Sequence, residues 1–187
     1  ELPYNAMRGQ IVHHALHEFA LRHPDSLPDD IEAELIASAD RHFTALGGSP
    51  RVEAFWRPGF ARFAKWFAET EPVRRNGVVK VAAEVVGELE IAVERGFRLS
   101  VRADRIDLCE DGSVVLYDYK TGRVWAKEGV VVGGGETLQP LFYALACERM
   151  LPEPVEAGRL YYCTADSDYA ERVVALDGAS RAAAAEV

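Results

Sequence analysis

The sequence contains little of what marks secreted or membrane proteins. Its three cysteines, at positions 109, 147 and 163, lie far apart and form no CxxC pair, so neither a disulfide framework nor a zinc ribbon is indicated. No apolar run reaches the length of about 18 residues that a membrane helix needs, and the first residues lack the basic and apolar regions of a signal peptide. These absences predict a cytoplasmic protein without membrane association.

Basic residues are also scarce. The chain has 21 Lys and Arg residues against 30 Asp and Glu residues, which gives a formal net charge of −9 at pH 7. Because phosphate contacts normally draw on clustered Lys and Arg, this balance argues against a broad basic surface for nucleic acid. With 187 residues, 49% of them hydrophobic, the chain is long enough for one domain with a full core.

Hydrophobic periodicity predicts a single α/β domain over residues 1–187, mainly helical at 1–76 and with a sheet core at 77–187. Helical spacing is present at 5–22, from residue 29 or 30 to 46, at 52–70 with an interruption at Pro58 and Gly59, at 137–150 and at 179–187. Alternating, β-branched segments predict strands at 78–86, 88–93, 97–109, 114–119 and 158–164. The expected fold is a small mixed central sheet flanked by helices, with an N-terminal helical region.

The stretch SVVLYDYKTG, at 113–122, ends an apolar strand with an acidic and a basic residue. Residues i and i+2 of a strand share a face, so Asp118 and Lys120 are predicted on one face and Tyr117 and Tyr119 on the other. One interpretation is a surface ion pair, worth at most about 1 kcal/mol. The other is a divalent metal site with a phosphate-polarising ammonium, because a second acidic segment, RADRID, lies on the partner strand of the predicted hairpin.

The apolar positions of the RADRID strand change phase, from odd-numbered before Asp104 to even-numbered after it. Such a slip predicts a β-bulge at Asp104 or the residue after it, since one extra residue reverses the faces of a strand. A two-residue turn after this strand would pair Leu108 with Val115, and the bulge would then bring Asp104 opposite Asp118. The alternative is an irregular edge strand without a functional bulge.

The first predicted helix carries three histidines. On a helical wheel, His13 lies at the border of the apolar stripe, whereas His14 and His17 point away from it, so only His13 is expected to face a cleft. Gly9, one turn earlier, leaves room for another element to approach closely. A border histidine is more often structural, but a neutral imidazole is also a common metal ligand.

These segments occur in the order GQIVHHAL, Glu84, RADRID, YDYKTG and LQPLFYAL. This series resembles the RecB-like branch of the PD-(D/E)XK nuclease superfamily, over nearly the whole chain from residue 9 to about residue 164. The resemblance implies a restriction-endonuclease-like fold. It also implies three metal ligands: His13, which belongs to a GxxxH pattern, Asp104 and Asp118. It assigns Lys120 to the nucleophilic water or the scissile phosphate.

The resemblance implies further site residues. Tyr119 would offer its backbone carbonyl to the metal, and Gln139 and Tyr143 match a supporting QxxxY helix, where residues i and i+4 share one face. Glu84 is a weaker candidate for a metal or water ligand, because a strand-end glutamate is as often solvated. A glycine usual in the family is replaced by Val101, which narrows the cleft without removing a ligand.

AddB-like members of this family often carry a [4Fe-4S] cluster bound by four cysteines. The present sequence has no such set, so we expect a cluster only in flanking segments of a longer protein. The residues and the resemblance together predict a Mg²⁺- or Mn²⁺-dependent deoxyribonuclease with Lys120, Asp118 and Asp104 as catalytic residues. They further predict an exonuclease module that acts with a helicase domain or subunit in double-strand break repair.

Two other functions stay open from the sequence. The first is a catalytically inactive nuclease fold that binds or scaffolds DNA ends inside a helicase complex, which the acidic net charge favours. The second is a metal-dependent hydrolase acting on a small phosphate ester. Intact Asp104, Asp118 and Lys120 count against the inactive module.

Overall fold

The computed structural model describes residues 4–46, 49–91, 97–122, 155–163, 169, 171–175 and 177–178. Within these ranges the helices are α1 (Tyr4–Arg22), α2 (Ile31–Ala45) and α3 (Arg57–Arg74), with a π-helical turn at Val52–Trp56 before α3. The strands are β1 (Val78–Ile91), β2 (Phe97–Cys109), β3 (Val114–Lys120), β4 (Val155–Tyr162) and β5 (Glu171–Ala175). None of the described helices combines the length and the apolar content needed to cross a bilayer.

The strands form one mixed sheet in the order β1-β2-β3-β4-β5. β3 and β4 pair in parallel, and the other neighbours pair antiparallel. The helices pack on one face of this sheet, where apolar residues of α1, α2 and α3 meet Tyr117, Tyr119 and Tyr161 in a common core. The predicted mixed α/β fold is therefore confirmed.

Several element boundaries differ from the prediction. β1 is one strand instead of two, because Gly87 stays paired with Val101 of β2. Pro58 does not interrupt a helix, since it lies in the first turn of α3, where its missing N–H leaves no helical hydrogen bond unmade. β5 was not predicted. The helices expected at 137–150 and 179–187 lie outside the described residues.

A three-residue turn, closed by a glycine with φ of 81°, sets the register of the β2–β3 hairpin. It pairs Leu108 with Val114, whereas the predicted two-residue turn would have paired Leu108 with Val115. Extended along both strands, the observed register puts Asp104 opposite Asp118. The turn alone thus produces the arrangement for which the sequence suggested a bulge.

The bulge predicted at Asp104 is wrong. β1 and β2 keep one register along 80–91, and the β2–β3 pairs next to Asp104 are regular. The apolar phase changes for another reason: Arg105 and Asp107 point toward the helices, where both are buried in an ion network with Glu71. Polar side chains occupy core positions there, so the polarity pattern does not follow the faces of the strand.

Candidate active site

Asp104 and Asp118 share one face of the hairpin, opposite Tyr117 and Tyr119, at the open end of β2 and β3. The backbone N–H of Tyr119 donates a hydrogen bond of 2.7 Å to Oδ2 of Asp104, which fixes Asp104 to the strand that carries Asp118. Asp118 is buried, and burial raises the pKa of its carboxyl; Lys120 opposes this shift and the charge of Asp104 adds to it. The hairpin therefore holds two carboxylates in mutual repulsion.

Lys120 lies beside these carboxylates. Its Nζ is 2.5 Å from Oδ2 of Asp118, with side-chain exposures of 31% for Lys120 and 11% for Asp118. The DxK pair thus forms an ion pair, but at a largely buried strand end and not on the open surface. An ammonium held there can stabilise negative charge that develops nearby.

His13 reaches the carboxylates from α1. Its Nδ1 lies 2.9 Å from the backbone carbonyl oxygen of Gly9, which can only accept, so Nδ1 carries the proton and Nε2 of the neutral ring presents its lone pair. Nε2 lies 3.5 Å from Oδ2 of Asp104. Burial lowers the pKa of His13, but in the protonated ring Nε2–H points to Asp104, and this hydrogen bond and the charge of Asp104 outweigh burial and raise the net pKa. A carbonyl on Nδ1 is also the usual support for a metal-bound histidine.

The glycine of the GxxxH pattern brings α1 close to the end of β3. A Cβ added to Gly9 would lie 2.9 Å from Oγ1 of Thr121, nearer than real Cβ contacts allow. One residue earlier, Nη2 of Arg8 donates a hydrogen bond of 3.1 Å to the backbone oxygen of Thr121. The small residue at position 9 therefore permits the close approach of α1 to the end of β3, as the sequence indicated.

Glu84 lies on β1 next to Asp104 and lines the same cleft of about 410 Å³. Its φ of 51° is rare for a residue other than glycine, and such strained positions concentrate at functional sites. Oε2 of Glu84 is 4.0 Å from Nδ1 of His17. His14 and His17 also line the cleft, so the expectation that only His13 faces it is wrong.

The donor types at this end of the hairpin suit a hard divalent cation, because the carboxylates of Asp104 and Asp118 and a ring nitrogen of His13 lie there. Among the residues that the structure describes, no three His, Cys, Asp or Glu side chains form a ready metal-binding group. Lys120 and the Tyr119 N–H contact the carboxylates instead. A metal contact through the Tyr119 carbonyl stays a prediction, and Gln139 and Tyr143 lie outside the described residues.

The buried ion network on the helix side was missed by the sequence analysis. Glu71 of α3 is 0% exposed and accepts hydrogen bonds from Arg74, Arg75 and Arg105 at 3.0, 3.1 and 2.6 Å. A signal for it exists in the sequence. Glu71 falls four residues after Phe67, in register with the apolar stripe of α3, where a solvated glutamate is not expected.

Comparison with known proteins agrees with this geometry. Residues 2–186 match the family profile of the PD-(D/E)XK nuclease superfamily, which is nearly the whole chain. The protein therefore belongs to the PD-(D/E)XK nuclease superfamily, as the order of its motifs predicted. Members of this superfamily are typically nucleases and generally use divalent metal ions such as Mg²⁺. The finer assignment to the RecB-like branch stays a prediction.

Two individual proteins show weaker similarity. An uncharacterized protein of Rickettsia bellii (strain RML369-C) is 23% identical over 128 residues, which cover 67% of this chain and 15% of that protein. The chain thus matches a small part of a much longer relative. The crystal structure of SSO0001 is 20% identical, with a TM-score of 0.42 and coverage of 95% of this chain and 82% of that chain.

Proposed function

We propose that this protein is a Mg²⁺- or Mn²⁺-dependent deoxyribonuclease that hydrolyses phosphodiester bonds in the cleft between α1 and the β2–β3 hairpin. The observation that carries the proposal is a chain of contacts at one end of the hairpin: His13 to Asp104, Asp104 to the Tyr119 N–H, and Lys120 to Asp118. Carboxylates, an imidazole and an ammonium are the groups that metal-assisted phosphodiester cleavage uses. Membership of a nuclease superfamily supports the same reaction class.

Asp104, Asp118 and Nε2 of His13 are the proposed metal ligands, with the Tyr119 carbonyl as a further donor. A bound divalent ion would activate water and neutralise charge on the phosphate. The protein's own contribution would be to hold both carboxylates on one face of the β2–β3 hairpin. Glu84 supports this arrangement as a second carboxylate that lines the cleft with Asp104.

Lys120 is the proposed electrostatic catalyst. Its ammonium is anchored by Asp118 on the same strand, so it is held in place before substrate binds. A preorganised positive charge stabilises the phosphorane-like charge distribution without reorganisation during the reaction. We assign Gln139 and Tyr143 to substrate support on the basis of their motif.

The electrostatic repulsion between Asp104 and Asp118 in the folded protein favours a metal-binding, active enzyme over an inactive scaffold. Burial and the neighbouring Asp104 both raise the pKa of the Asp118 carboxyl, which means that the folded state disfavours its charge. A divalent cation bound beside the two carboxylates would relieve this repulsion. Strained, charge-repelling clusters are typical of sites where a ligand completes the balance.

We further propose that the domain is an exonuclease module that receives DNA from a helicase domain or subunit during double-strand break repair in the cytoplasm. The net charge of −9 supports delivery by a partner, since the domain can neutralise few phosphates by itself. The match to 15% of a longer relative agrees with a modular arrangement. A [4Fe-4S] cluster would belong to flanking segments.

The test is cleavage of end-labelled single-stranded and double-stranded DNA, with Mg²⁺, with Mn²⁺ and with EDTA. We expect metal-dependent cleavage by the wild type and its loss, by roughly 10³-fold or more, in Asp118→Asn, because the variant removes the charge that offsets the cation. Asp111→Asn, an exposed carboxylate change in the turn of the same hairpin, is the matched control and should cleave normally.

Calorimetric Mn²⁺ titration separates the alternatives. Loss of both Mn²⁺ binding and cleavage in Asp118→Asn supports the proposal. Unchanged Mn²⁺ affinity in that variant would mean that Asp118 and Lys120 form a structural ion pair. Metal binding by the wild type without any DNA cleavage would favour the inactive end-binding module, and cleavage of small phosphate esters alone would favour the third function.

A further inference from the structure

A second cavity, of about 750 Å³, lies beside the catalytic cleft. Arg8 and Val12 of α1 line it, whereas Gly9 and His13 of the same helix line the cleft. We call it the arginine–aromatic cavity, after the lining side chains Arg8, Arg51, Arg62, Phe55, Trp56 and Phe60. Its volume is within the range of cavities that hold drug-sized ligands.

The charge of the arginine–aromatic cavity is opposite to that of the chain. Arg8, Arg51 and Arg62 line it, and none of its described lining residues is Asp or Glu, although the chain carries a net charge of −9. Nε of Arg8 is buried without a hydrogen-bond partner. A cavity of this composition favours an anionic ligand.

The aromatic rings indicate that the anion also has a planar part. Phe55 is 70% exposed at this cavity, which is unusual for a large apolar side chain. It lies in the π-helical turn at Val52–Trp56, where the N–H of Arg57 bonds the carbonyl of Val52, five residues back. Such π turns are frequent at functional sites, and an exposed ring can stack on a nucleobase.

The cavity and the cleft share a border. Arg8 donates its hydrogen bond to the backbone oxygen of Thr121, and Thr121 lines the cleft that holds Asp104. The two sets of described lining residues have no member in common, so a nucleotide bound in the cavity would lie beside the cleft, across α1 and Thr121 from Asp104. Duplex DNA could not insert a base there, because its bases are stacked and paired.

We infer that the arginine–aromatic cavity binds an unpaired nucleotide of a single-stranded DNA substrate, next to the scissile phosphate. Phe55 stacks on the base, and Arg51, Arg62 and Arg8 contact the phosphate side. This inference rests on the proposed nuclease function and adds the strand preference to it. It also explains how an acidic domain holds a polyanion, through a few arginine contacts and stacking instead of a broad basic surface.

Anisotropy of a fluorescein-labelled oligothymidylate of about 12 nucleotides, in EDTA so that no cleavage occurs, tests the cavity. We expect Phe55→Ala and Arg51→Gln each to weaken binding by roughly 10-fold, the scale of one lost stacking or phosphate contact. The controls are Leu21→Ala, another exposed apolar residue, and Arg41→Gln, another surface arginine, neither of which lines the cavity.

The expected salt dependence is shallow, with a slope of log affinity against log salt no steeper than about −2, since three arginines can neutralise three phosphates at most. A duplex of the same sequence should bind more weakly than the single strand. Wild-type affinity in both cavity variants, or equal affinity for single strand and duplex, would overturn the inference. Because Phe55 and Arg51 are exposed, both variants should fold, which thermal unfolding checks.

Hydrolysis of bis(p-nitrophenyl) phosphate with Mn²⁺ separates this inference from the proposed function. This small diester needs the cleft and not the cavity, so the two cavity variants should hydrolyse it at the wild-type rate. A wild type that binds the oligonucleotide through the cavity but hydrolyses neither substrate would contradict the nuclease proposal and still support the cavity. DNA cleavage by the wild type, together with normal oligonucleotide binding by both cavity variants, would support the nuclease proposal and contradict the cavity inference.

Discussion

The strand β2 carries two aspartates, three residues apart, in contrasting environments. Asp107 faces the helices, is 0% exposed and receives Nε and Nη2 of Arg105 on its two oxygens at 2.5 and 2.7 Å. Asp104 faces the cleft, where its side chain is 21% exposed and meets the Tyr119 N–H and His13. The first carboxylate is paired with a fixed guanidinium, although burial still raises its pKa, and the second contacts only a backbone N–H and His13.

One face of β2 therefore carries a stabilising ion network, and the other face carries part of the candidate site. On the helix side, burial lowers the pKa of Arg105, but the charges of Glu71 and Asp107 outweigh it and hold the guanidinium protonated. Charge and hydrogen bonds are matched there, which ties α3 to the sheet. On the cleft side, Asp118 and Asp104 repel each other, and that imbalance is what a cation would relieve.

The largest effect on stability is expected from Glu71→Gln. It leaves Arg74, Arg75 and Arg105 facing a neutral amide in the interior, and breaking a buried pair in this way costs about 3–5 kcal/mol. Urea unfolding measures the decrease in the free energy of unfolding. Glu69→Gln, an exposed change two residues earlier on α3, is the control and should alter stability by less than about 0.5 kcal/mol. Equal stabilities for the two variants would contradict the structural role of the network.

The site was more predictable from the sequence than the network, for a physical reason. Asp118 with Lys120, and Gly9 with His13, are related by strand and helix periodicity, so the chain itself fixes their relative positions over a few residues. Glu71 and Arg105 lie 34 residues apart, and their contact depends on how α3 docks on the sheet. The local periodicity of the sequence cannot predict a contact that is set by tertiary packing.

The same limit explains the two errors in the hairpin. Polarity was used as a guide to the strand faces, but Arg105 and Asp107 are polar residues in core positions. The bulge was predicted to explain the change of phase of the apolar positions in β2, but the buried ion network causes that change. The turn length could not be decided from EDGS, since two-residue and three-residue turns both use a glycine there. β5 was missed because its five residues become a strand through pairing with β4.

A smaller effect, on catalysis instead of stability, is expected from Lys120→Ala. The variant removes a positive charge beside the proposed metal ligands, so Mn²⁺ affinity should stay the same or rise. Turnover should fall by roughly 10²- to 10³-fold, the scale of losing one positioned electrostatic donor. Lys65→Ala, an exposed lysine on α3, serves as control. If Mn²⁺ binding were lost together with turnover, Lys120 would be organising the carboxylates and not acting on the phosphate.

The smallest effect on cleavage should come from Gly9→Ala, which tests whether the cleft depends on close packing of α1. The added Cβ would lie 2.9 Å from Oγ1 of Thr121, and overpacking of this kind costs about 1–3 kcal/mol. Alanine also favours the helix over glycine by about 1 kcal/mol, so net stability should change by no more than about 2 kcal/mol. Cleavage should nevertheless fall by roughly 10-fold, because displaced reacting groups lose their alignment.

The double variant Gly9→Ala with Thr121→Ala removes the atom that the new Cβ would meet. It should recover most of the cleavage rate while keeping the stability gained in the helix, and Thr121→Ala alone measures what the hydroxyl contributes by itself. Single-turnover cleavage and urea unfolding on all three variants give the comparison. Recovery would mean that the glycine is required for the distance between α1 and β3, which places His13 Nε2 at Asp104. A Gly9→Ala protein that cleaves at the wild-type rate would show that the cleft tolerates a shift of α1, and the open face of β2 would then be less rigid than its helix face.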